Sequence, residues 1–565
     1  MKIRTNNIRA FIYIFLVSLL AISSTSCEDM LDTESTDYAF DREGNLKNPN
    51  DSLYSVMGIL SQLQKIGERY VLLGELRGDL MALTDKASVS LKEISQLQFT
   101  ADNEYADKVD YYSIINNCNY AIARMDTTLT NYQGKIMLPE FAAIKTIRAW
   151  TYLQIAQIFG TAYYYTEPIL NLETSMQQYP ALNMEQLIDK LIPDLLPYID
   201  VRPLDYGSID GWNSRCFFIP VRMLLGDMYL YQNNYTQAAV MYHNLMEKQY
   251  YTLNKIYCTF WDDRNRSSAT TGHTSTYIGE IMSMIAYSTD ARDYHTSLFR
   301  LSYNARPVLV PEESFVEKMN ASMYFFSDIN KGSTKIDAYL SGDLRGVAKS
   351  PSVSSPGSFG PLVFGTTGVK NIIVKYSRAI TSSESGWDPE NEEVGMLYYP
   401  IAIPIYRIPH LYLRYAEAVN RAGKPSLAFA VLKHGLRQEV VDSATIVNPA
   451  EVAAKETYIQ FNSTFDSNIP TAMRGRGQGV NLDKTEYVIP ALPTREDSIL
   501  FVEDCILDEL AAETSFEGNR FFDLLRISHH RSNHPELMAD KVSVRFPDPA
   551  AAKARLMTID NWYMK

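Results

Sequence analysis

The feature that most constrains the fold is a spacing of small and large apolar residues between positions 217 and 247. The residues that set it are Leu225, Gly226, Tyr229, Tyr235, Ala238 and Tyr242. Intervals of three and four residues place side chains on one face of a helix. Gly226 and Ala238 are small enough for two helices to cross closely, while the larger neighbours fill the groove. The segment therefore predicts a pair of crossed helices.

A second segment with this pattern lies at 407–437, where Tyr415-Ala416 is matched by Ala428 and Gly423-Lys424-Pro425 predicts the turn. Both segments have the spacing of a tetratricopeptide unit. Helical periodicity further predicts helices at Asp51–Gln64, Glu104–Asp126, Glu140–Phe159, Met184–Leu196, Phe217–Gln232 and Tyr235–Glu247. Together these segments predict about four helical hairpins, an arrangement that usually presents a protein-binding surface.

Residues 250–400 and 440–500 lack this periodicity. Apolar runs at Tyr277–Ala286, Pro307–Val310 and Asn371–Lys375 predict short strands between turns rich in Ser, Gly and Pro. Long irregular segments in a compact protein are often functional. We therefore predict a mostly α fold of tetratricopeptide-like repeats with a large irregular, short-stranded insertion that forms the ligand face.

Residues 1–26 have the pattern of a secretion signal. A cationic start precedes an apolar run at 11–22, which is short for a membrane-spanning helix and typical of a signal-peptide core. Small residues then lead to Cys27, and this order resembles a bacterial lipoprotein signal, although Ser24 stands where leucine is usual. We expect Cys27 to carry the lipid that anchors the protein, and residues 27–50 to form an acidic linker.

Composition narrows the function classes. The formal net charge of −13 disfavours nucleic-acid binding, which needs a basic face, and adhesion to an anionic bilayer by charge alone. An apolar content of 46% is enough for a large core and excludes disorder over most of the chain. The remaining cysteines, Cys118, Cys216, Cys258 and Cys505, are far apart and form no paired motif. We expect neither a metal site nor a cofactor.

Four segments spread over the chain resemble the SusD/RagB family of nutrient-binding outer-membrane lipoproteins. They are LYSVMGILSQLQ, RAWTYLQIAQIFG, YRIPHLYLRYAEAVNRAGK and DELAAETSFEGNRFFDLLR. The last is the most specific, because Phe516-Glu517-Gly518 and Arg520-Phe521-Phe522-Asp523-Leu524 stand as the family pattern has them. The chain departs from that pattern at its final residues, Asn561-Trp562-Tyr563-Met564-Lys565.

The resemblance implies a non-catalytic lipoprotein on the outer face of the outer membrane that hands its ligand to a SusC-like TonB-dependent transporter. Acidic residues after the lipidated cysteine resemble the signal that displays Bacteroidota lipoproteins on that face. Family members bind oligosaccharides or, in the RagB branch, peptides. The resemblance also implies that residues 51–250 form the N-terminal helical repeats and 251–565 the C-terminal region, which includes the repeat at about 407–437.

A sugar site needs flat aromatic rings and side chains that hydrogen-bond to hydroxyl groups. Candidates in the predicted loops are Trp261, Asp263, Tyr287, Asp290, Arg292, Tyr294 and Trp387. For any one of them, packing at the edge of the core is an equally good interpretation.

The late motif also carries charges at three-residue intervals, namely Glu517, Arg520, Asp523 and Arg526. We predict that they pair along one helix edge and have a structural role. Two neighbouring arginines would keep the carboxylates ionised, which does not suit a general acid.

Other patterns that can indicate an enzyme are weak here. The Gly475–Gly479 run lacks the preceding strand and the spacing of a dinucleotide loop, so we predict a mobile loop. His529, His530 and His534 are expected at exposed helix ends. Two alternatives stay open at this point: a surface glycoside hydrolase, since carboxylates are plentiful, and an adhesin or scaffold that uses the repeat surface.

Overall fold

The computed structural model describes residues 49–564 with internal gaps. The gaps are at 133, 210–211, 249, 251–252, 254–279, 288–295, 303–306, 332–333, 344, 347–357, 362–370, 374, 377–401, 463–464, 466–471 and 479–486. The predicted signal, Cys27 and all but the last two residues of the acidic linker lie outside the described residues.

Helices dominate the described residues, which confirms the predicted mostly α fold. In the first half they are α1 (Pro49–Glu75), α2 (Val89–Gln96), α3 (Val109–Arg124), α4 (Leu138–Phe159), α5 (Leu172–Ser175), α6 (Met184–Leu195), α7 (Val221–Tyr231) and α8 (Tyr235–Glu247). Later helices are α9 (Leu298–Ser302), α10 (Glu313–Ala321), α11 (Ile408–Arg421), α12 (Pro425–Lys433), α13 (Gln438–Asp442), α14 (Pro449–Val452), α15 (Met473–Gln478), α16 (Arg495–Thr514), α17 (Arg520–His530), α18 (His534–Ser543) and α19 (Pro549–Leu556).

Both predicted repeats are pairs of consecutive helices that pack against each other, α7 with α8 and α11 with α12. Helix α11 also packs on α8, so the two repeats are neighbours although they are distant in the sequence. A β-carbon on Gly226 would lie 2.3 Å from the ring of Tyr242, a contact that no larger residue could make without movement. Ala238 is fully buried. The small residues therefore allow the close crossing that their spacing predicts.

Local sequence explains where several helices begin and end. Helix α4 has Pro139 in its first turn, where a missing amide hydrogen is tolerated, and it ends at Gly160 with a φ of 80°. Asn183 caps α6 by accepting a hydrogen bond from the amide of Gln186. Helix α1 continues past the predicted end at Gln64, because buried apolar residues extend its inner face.

Strands occur as short antiparallel pairs. The pairs are β1 (Met81–Leu83) with β9 (Leu309–Pro311), β2 (Thr130–Asn131) with β3 (Gly134–Lys135), β4 (Thr161–Tyr163) with β5 (Ala181–Asn183), β6 (Ser208–Ile209) with β7 (Trp212–Asn213), β8 (Ile281–Ala286) with β14 (Ala402–Arg407), β10 (Met323–Lys331) with β11 (Thr334–Ser341), and β12 (Phe359–Pro361) with β13 (Asn371–Ile373). The three runs predicted as strands are confirmed as β8, β9 and β13, although each strand is shorter than predicted.

The C-terminal segment that departs from the family pattern packs into the core. Trp562 is fully buried, and its Nε1 donates a hydrogen bond to the carbonyl of Leu556 at 2.8 Å. The Met564 amide donates to the carbonyl of Ile158 at 2.9 Å, which joins the segment to the end of α4. Within the part of the chain that is described, no helix combines the length and the apolarity of a membrane span.

Candidate functional site

Strands β8 and β14 organise the region in which the ligand residues are predicted. Their register places Ala286 opposite Ala402 at one end of the pair and Ile281 opposite Arg407 at the other. The chain leaves β8 at Ala286 and enters β14 at Ala402, so segments 287–295 and 377–401 join this sheet at the same end. The segment with Trp261 and Asp263 joins it at the opposite end, before Ile281.

Of the seven predicted ligand residues, Tyr287 is described. The other six lie outside the described residues: Trp261, Asp263, Asp290, Arg292, Tyr294 and Trp387. Tyr287 is only 4% exposed, and its hydroxyl donates a hydrogen bond to the carbonyl of Gln64 at 2.9 Å. Burial raises the pKa of this phenol. The structure thus places Tyr287 in the core at the start of the segment, and its contact with a ligand stays a prediction.

Helix α1 holds both ends of the 288–295 segment. At the first end, the Gln64 side chain donates a hydrogen bond to the carbonyl of Ala286 at 2.8 Å. At the second, Glu68 accepts hydrogen bonds from the Ser297 amide at 2.5 Å, the Ser297 hydroxyl at 2.8 Å and the Thr296 hydroxyl at 3.1 Å. Gln64 and Glu68 are one helical turn apart, so the segment begins and ends at neighbouring points of one helix. We call the residues that hold it the loop base: Gln64, Glu68, Tyr287, Thr296 and Ser297.

A small apolar cleft of about 160 Å³ lies beside the loop base. Helix α1 contributes Met57 and Leu60, which are half-buried, and the β6–β7 region contributes Ile209 and Trp212. An apolar wall with few polar groups suits the flat C–H face of a sugar ring or an apolar side chain. The loop base therefore joins a fixed backbone anchor to a surface that can accept a ligand.

The opposite end of the β8–β14 sheet is closed by buried ion pairs. We call these residues the charge cluster: Glu280, Asp343, Arg345, Lys375, Arg407, Arg474, Arg476, Glu509, Glu513 and Glu517. Arg407 lies at its centre, with hydrogen bonds to the two Glu517 oxygens at 2.9 and 2.8 Å and to the Glu513 carbonyl at 2.6 Å. Lys375 Nζ donates to Glu517 Oε1 at 2.6 Å. Cations and carboxylates are equal in number, so the buried charges are matched.

Glu513 is surrounded by guanidinium groups. The nearest are those of Arg476 at 2.9 Å, Arg345 at 3.2 Å and Arg407 at 3.5 Å. Burial alone would raise the pKa of Glu513, but the three arginines lower it to about 2. A carboxyl group held ionised in this way cannot serve as a general acid near neutral pH.

The prediction of a mobile loop at Gly475–Gly479 is wrong for its first four residues. Residues Met473–Gln478 form helix α15, and Arg476 is buried between Glu280 at 2.7 Å and Glu513 at 2.9 Å. These ion pairs hold the glycine-rich segment in place, because releasing it would leave buried carboxylates without partners.

The predicted pairing along one helix edge holds for half of the late motif. Arg526 donates to Asp523 at 2.9 Å within α17, and it also binds Glu417 of α11 at 2.8 Å. Glu517 does not take part, because α17 begins only at Arg520 and Glu517 lies before it, in the charge cluster. Arg520 instead pairs with Asp79, just beyond the end of α1. The charged residues of the motif thus connect α17 to α11, to the residues after α1 and to the charge cluster, and they do not all pair along one helix.

The histidines differ from the predicted exposed positions at His530 and, in part, at His534. The His530 side chain is fully buried, and its Nε2 lies 2.9 Å from Glu417 Oε1. Burial and the nearby Arg421 lower its pKa well below the usual range. His529 is exposed, as predicted, and His534 is half-buried. The hydrogen bond with the Glu417 carboxyl group accounts for an imidazole at this inner position. Neither sequence spacing nor apolar pattern indicates it.

Six described carboxyl groups have a pKa raised by burial: Glu140, Glu312 and Glu451, which are less deeply buried, and three that lie in the core. Burial raises the pKa of Glu75 to about 7, that of Asp523 to about 6 and that of Glu417 in the same direction. All three are at most 1% exposed and bond to other protein groups. A dissolved substrate does not reach them in this structure, so we interpret the shifts as a consequence of core burial.

Sequence reasoning missed the residues that hold the two ends of the sheet. No motif surrounds Gln64 or Glu68. Their hydrogen-bond partners lie 222 to 229 residues later in the sequence. Arg407 stands inside the quoted YRIPHLYLRYAEAVNRAGK segment, but its partners lie elsewhere in the chain. The one local indication of a buried ion pair at Arg407 is that this charge stands alone just before the apolar start of α11.

Neither family models nor curated protein sequences match this chain. Solved structures do match it. A SusD superfamily protein from Bacteroides thetaiotaomicron has a TM-score of 0.56 and 14% identity, with 92% of this chain and 95% of that one covered. Surface glycan-binding protein A from Bacteroides uniformis has a TM-score of 0.56 and 15% identity, with 92% and 96% covered. A SusD-like carbohydrate-binding protein from Bacteroides fragilis has a TM-score of 0.52 and 14% identity, with 86% and 87% covered.

These similarities extend over nearly all of both chains and agree with the four sequence segments described above. At such identities they establish the fold. The chain has the SusD-superfamily fold.

Proposed function

We propose that this protein is a non-catalytic, cell-surface glycan-binding lipoprotein that delivers oligosaccharide to a SusC-like TonB-dependent transporter. The observation that carries the proposal is the fold, which the chain shares with a surface glycan-binding protein over more than nine-tenths of both chains. The charge cluster itself does not suit general acid catalysis, because its carboxylates are buried and paired with cations.

The ligand face in this proposal lies at the Ala286–Ala402 end of the β8–β14 sheet. Segments 287–295 and 377–401 both attach there, and they carry Asp290, Arg292, Tyr294 and Trp387. An aromatic ring near several hydrogen-bonding side chains is the chemistry that a sugar requires. Trp261 and Asp263 belong to the segment that enters β8 at the opposite end, Ile281, so their contact with the same ligand stays a separate prediction.

Isothermal titration against a panel of neutral and acidic polysaccharides, with a peptide mixture as a separate arm, tests the proposal. We expect heat of binding with at least one glycan, and a loss of affinity in Trp387→Ala. Tyr132→Ala is the matched control, because Tyr132 is 94% exposed and lies on the β2–β3 turn, outside the segments that carry the predicted ligand residues. Binding of peptides alone would assign the chain to the RagB-type alternative, and binding of no ligand would contradict the proposal.

Anchoring and localisation rest on the N-terminal segment. In this proposal residues 1–26 are removed, Cys27 is lipidated, and 27–50 extend the repeat region (51–250) and the C-terminal region (251–565) away from the membrane. Metabolic labelling with palmitate should mark the wild type and not Cys27→Ala. Recovery of unlabelled wild-type protein in the cytosol would contradict this part.

Delivery to a transporter requires a stable complex. A tagged full-length chain extracted from outer membranes should co-purify with a TonB-dependent transporter. Co-purification with another surface protein, together with no soluble ligand, would favour the adhesin or scaffold alternative.

A further inference from the structure

A second cleft, of about 90 Å³, lies at the end of the helical repeats and shares no lining residue with the loop base or the charge cluster. Its floor is apolar, with Ala142 and Ala143 from the start of α4, Phe218 before α7 and Leu245 near the end of α8. The segment at 198–204 and the start of α7 line the cleft as well.

The charged side chains of this cleft differ from those of the whole protein. Arg202, Arg215, Arg222 and Lys248 line it, whereas Asp200 is the one carboxylate among the described residues that do so. The chain as a whole carries −13, so a cationic cleft is a local exception. Such a cleft attracts anions, since low-dielectric walls concentrate the field of its charges. We call it the basic cleft.

Two of the four cations are already bonded. Arg222 donates to Asp200 at 2.8 Å and to the carbonyl of Ile199, and Arg215 donates to Asp205 at 2.8 Å. Arg202 and Lys248 are exposed, and neither forms an ion pair with a residue that the structure describes. Both cations nevertheless lie near carboxylates, since Arg202 helps to lower the pKa of Asp205 and Lys248 that of Asp200. The cleft therefore has two guanidinium groups held in ion pairs and two exposed cations that two aspartates balance only in part.

Aromatic rings stand beside these charges. Tyr250 is 42% exposed, and Arg215 lies over its ring with 5.6 Å to the centroid. Tyr198 is half-buried, and Lys145 lies 5.5 Å from its ring centroid. The exposed ring of Tyr250 offers a face on which the C–H groups of a sugar can pack. Binding of an inorganic anion alone does not require aromatic rings beside the charges.

We propose that the basic cleft binds acidic sugar units, in which a uronate carboxylate or a sulfate ester meets Arg202 and Lys248 while the sugar ring packs on Tyr250. The inference rests on the proposed glycan-binding function and deepens it, because it names an anionic ligand class and a site on the helical repeats. Neutral sugars would still bind through the loop-base end, which has different residues.

Titration of the full mature chain, made soluble by Cys27→Ser, with a short glucuronic-acid oligosaccharide and a neutral oligosaccharide of equal length tests the site. We expect the R202Q/K248Q variant to lose about tenfold or more in affinity for the acidic ligand, because two charge-assisted contacts are removed. Its affinity for glycans that bind through the loop-base end should not change. A higher salt concentration should lower the affinity for the acidic ligand more than the affinity for the neutral one.

Lys92→Gln is the matched control, because Lys92 is an exposed lysine on α2 that does not line the cleft. Both variants change exposed side chains, and equal melting temperatures would show that they fold. Acidic-ligand affinity that R202Q/K248Q leaves unchanged, or tighter binding of an acidic peptide than of the acidic sugar, would overturn the inference while leaving the proposed function intact. Failure of every glycan to bind would instead contradict the proposed function.

Discussion

The two ends of the β8–β14 sheet are built in opposite ways. At the Ile281–Arg407 end, buried and mutually paired charges of the charge cluster fill the space between elements that are distant in the sequence. At the Ala286–Ala402 end, half-buried hydrogen bonds of the loop base attach a segment to helix α1. The first end is therefore held by buried charges, and the second by hydrogen bonds from a single helix to the residues on either side of 288–295.

Helix α1 connects these two ends. Gln64 and Glu68 bind the loop segment, and Glu75, two turns further along, accepts hydrogen bonds from the amides of Gly518 and Asn519 at 2.7 and 3.1 Å. Gly74 allows this approach, because a β-carbon there would lie 1.8 Å from the carbonyl oxygen of Gly518. The comparison predicts that changes at the charge cluster mainly affect stability and that changes at the loop base mainly affect binding.

The largest effect is expected for Arg407→Met. The substitution leaves the Glu517 carboxylate and the Glu513 carbonyl without their main partner, and an uncompensated buried charge costs about 3–5 kcal/mol. Denaturant unfolding measures the loss. Arg437→Met serves as the control, because Arg437 is half-buried and forms no ion pair with the described residues, and we expect a change within about 0.5 kcal/mol. Equal losses in both variants would contradict a special role of the cluster.

The next effect is expected for Glu68→Ala at the loop base. The variant loses three hydrogen bonds to a carboxylate on a partly exposed residue, so we expect about 1–2 kcal/mol of lost stability. Exchange of the Ser297 amide should become faster and glycan affinity should fall. Glu93→Ala is the control, since Glu93 holds Thr100 and Asn103 in a similar way on a different loop. An unchanged glycan affinity in Glu68→Ala would show that the loop base does not contribute to ligand binding.

A smaller effect is expected on the pH dependence of the free energy of unfolding. Because burial raises the pKa of Glu75 to about 7, the folded protein keeps this proton where the unfolded chain, with a pKa of about 4.3, has released it. The stability is therefore highest at low pH within this window and falls as the pH rises from about 4.3 to 7. Glu75→Gln keeps an oxygen for both amides and should reduce this slope, measured as the free energy of unfolding between pH 5 and 7. An unchanged slope would contradict the assignment.

Glu513 and Glu517 of the charge cluster, whose pKa values the neighbouring cations lower, should behave in the opposite sense. The pKa of Glu513 is lowered to about 2, so its contribution is complete above the unfolded pKa of about 4.3 and is lost as the pH falls towards 2. It therefore adds no slope between pH 5 and 7.

The smallest effect is expected for Lys318→Gln. Its ion pair with Asp508 is exposed, with 55% and 33% of the two side chains accessible, and such pairs contribute less than about 1 kcal/mol. The unfolding midpoint should be close to that of the wild type. A loss as large as that of Arg407→Met would show that burial does not decide the value of a pair in this protein.

Much of the helical part follows from local sequence. Gly226, Ala238 and Gly160 act within their own helix pair, so spacing and backbone preference predict them correctly. Arg476 and His530 were predicted wrongly, because their positions depend on Glu280, Glu513 and Glu417 on other elements. Glu68 was missed for the same reason. Periodicity reports which face of an element is buried, and it carries no information on which distant charge a side chain will meet.

Passive binding is tested most directly by incubating the full mature chain for a long time with the glycan that it binds in titration, and then separating the sugar by size. We expect binding heat at the start and a recovered glycan of unchanged length, without new reducing ends. Shortened products that disappear when one carboxylate is substituted would contradict the account and identify an enzyme.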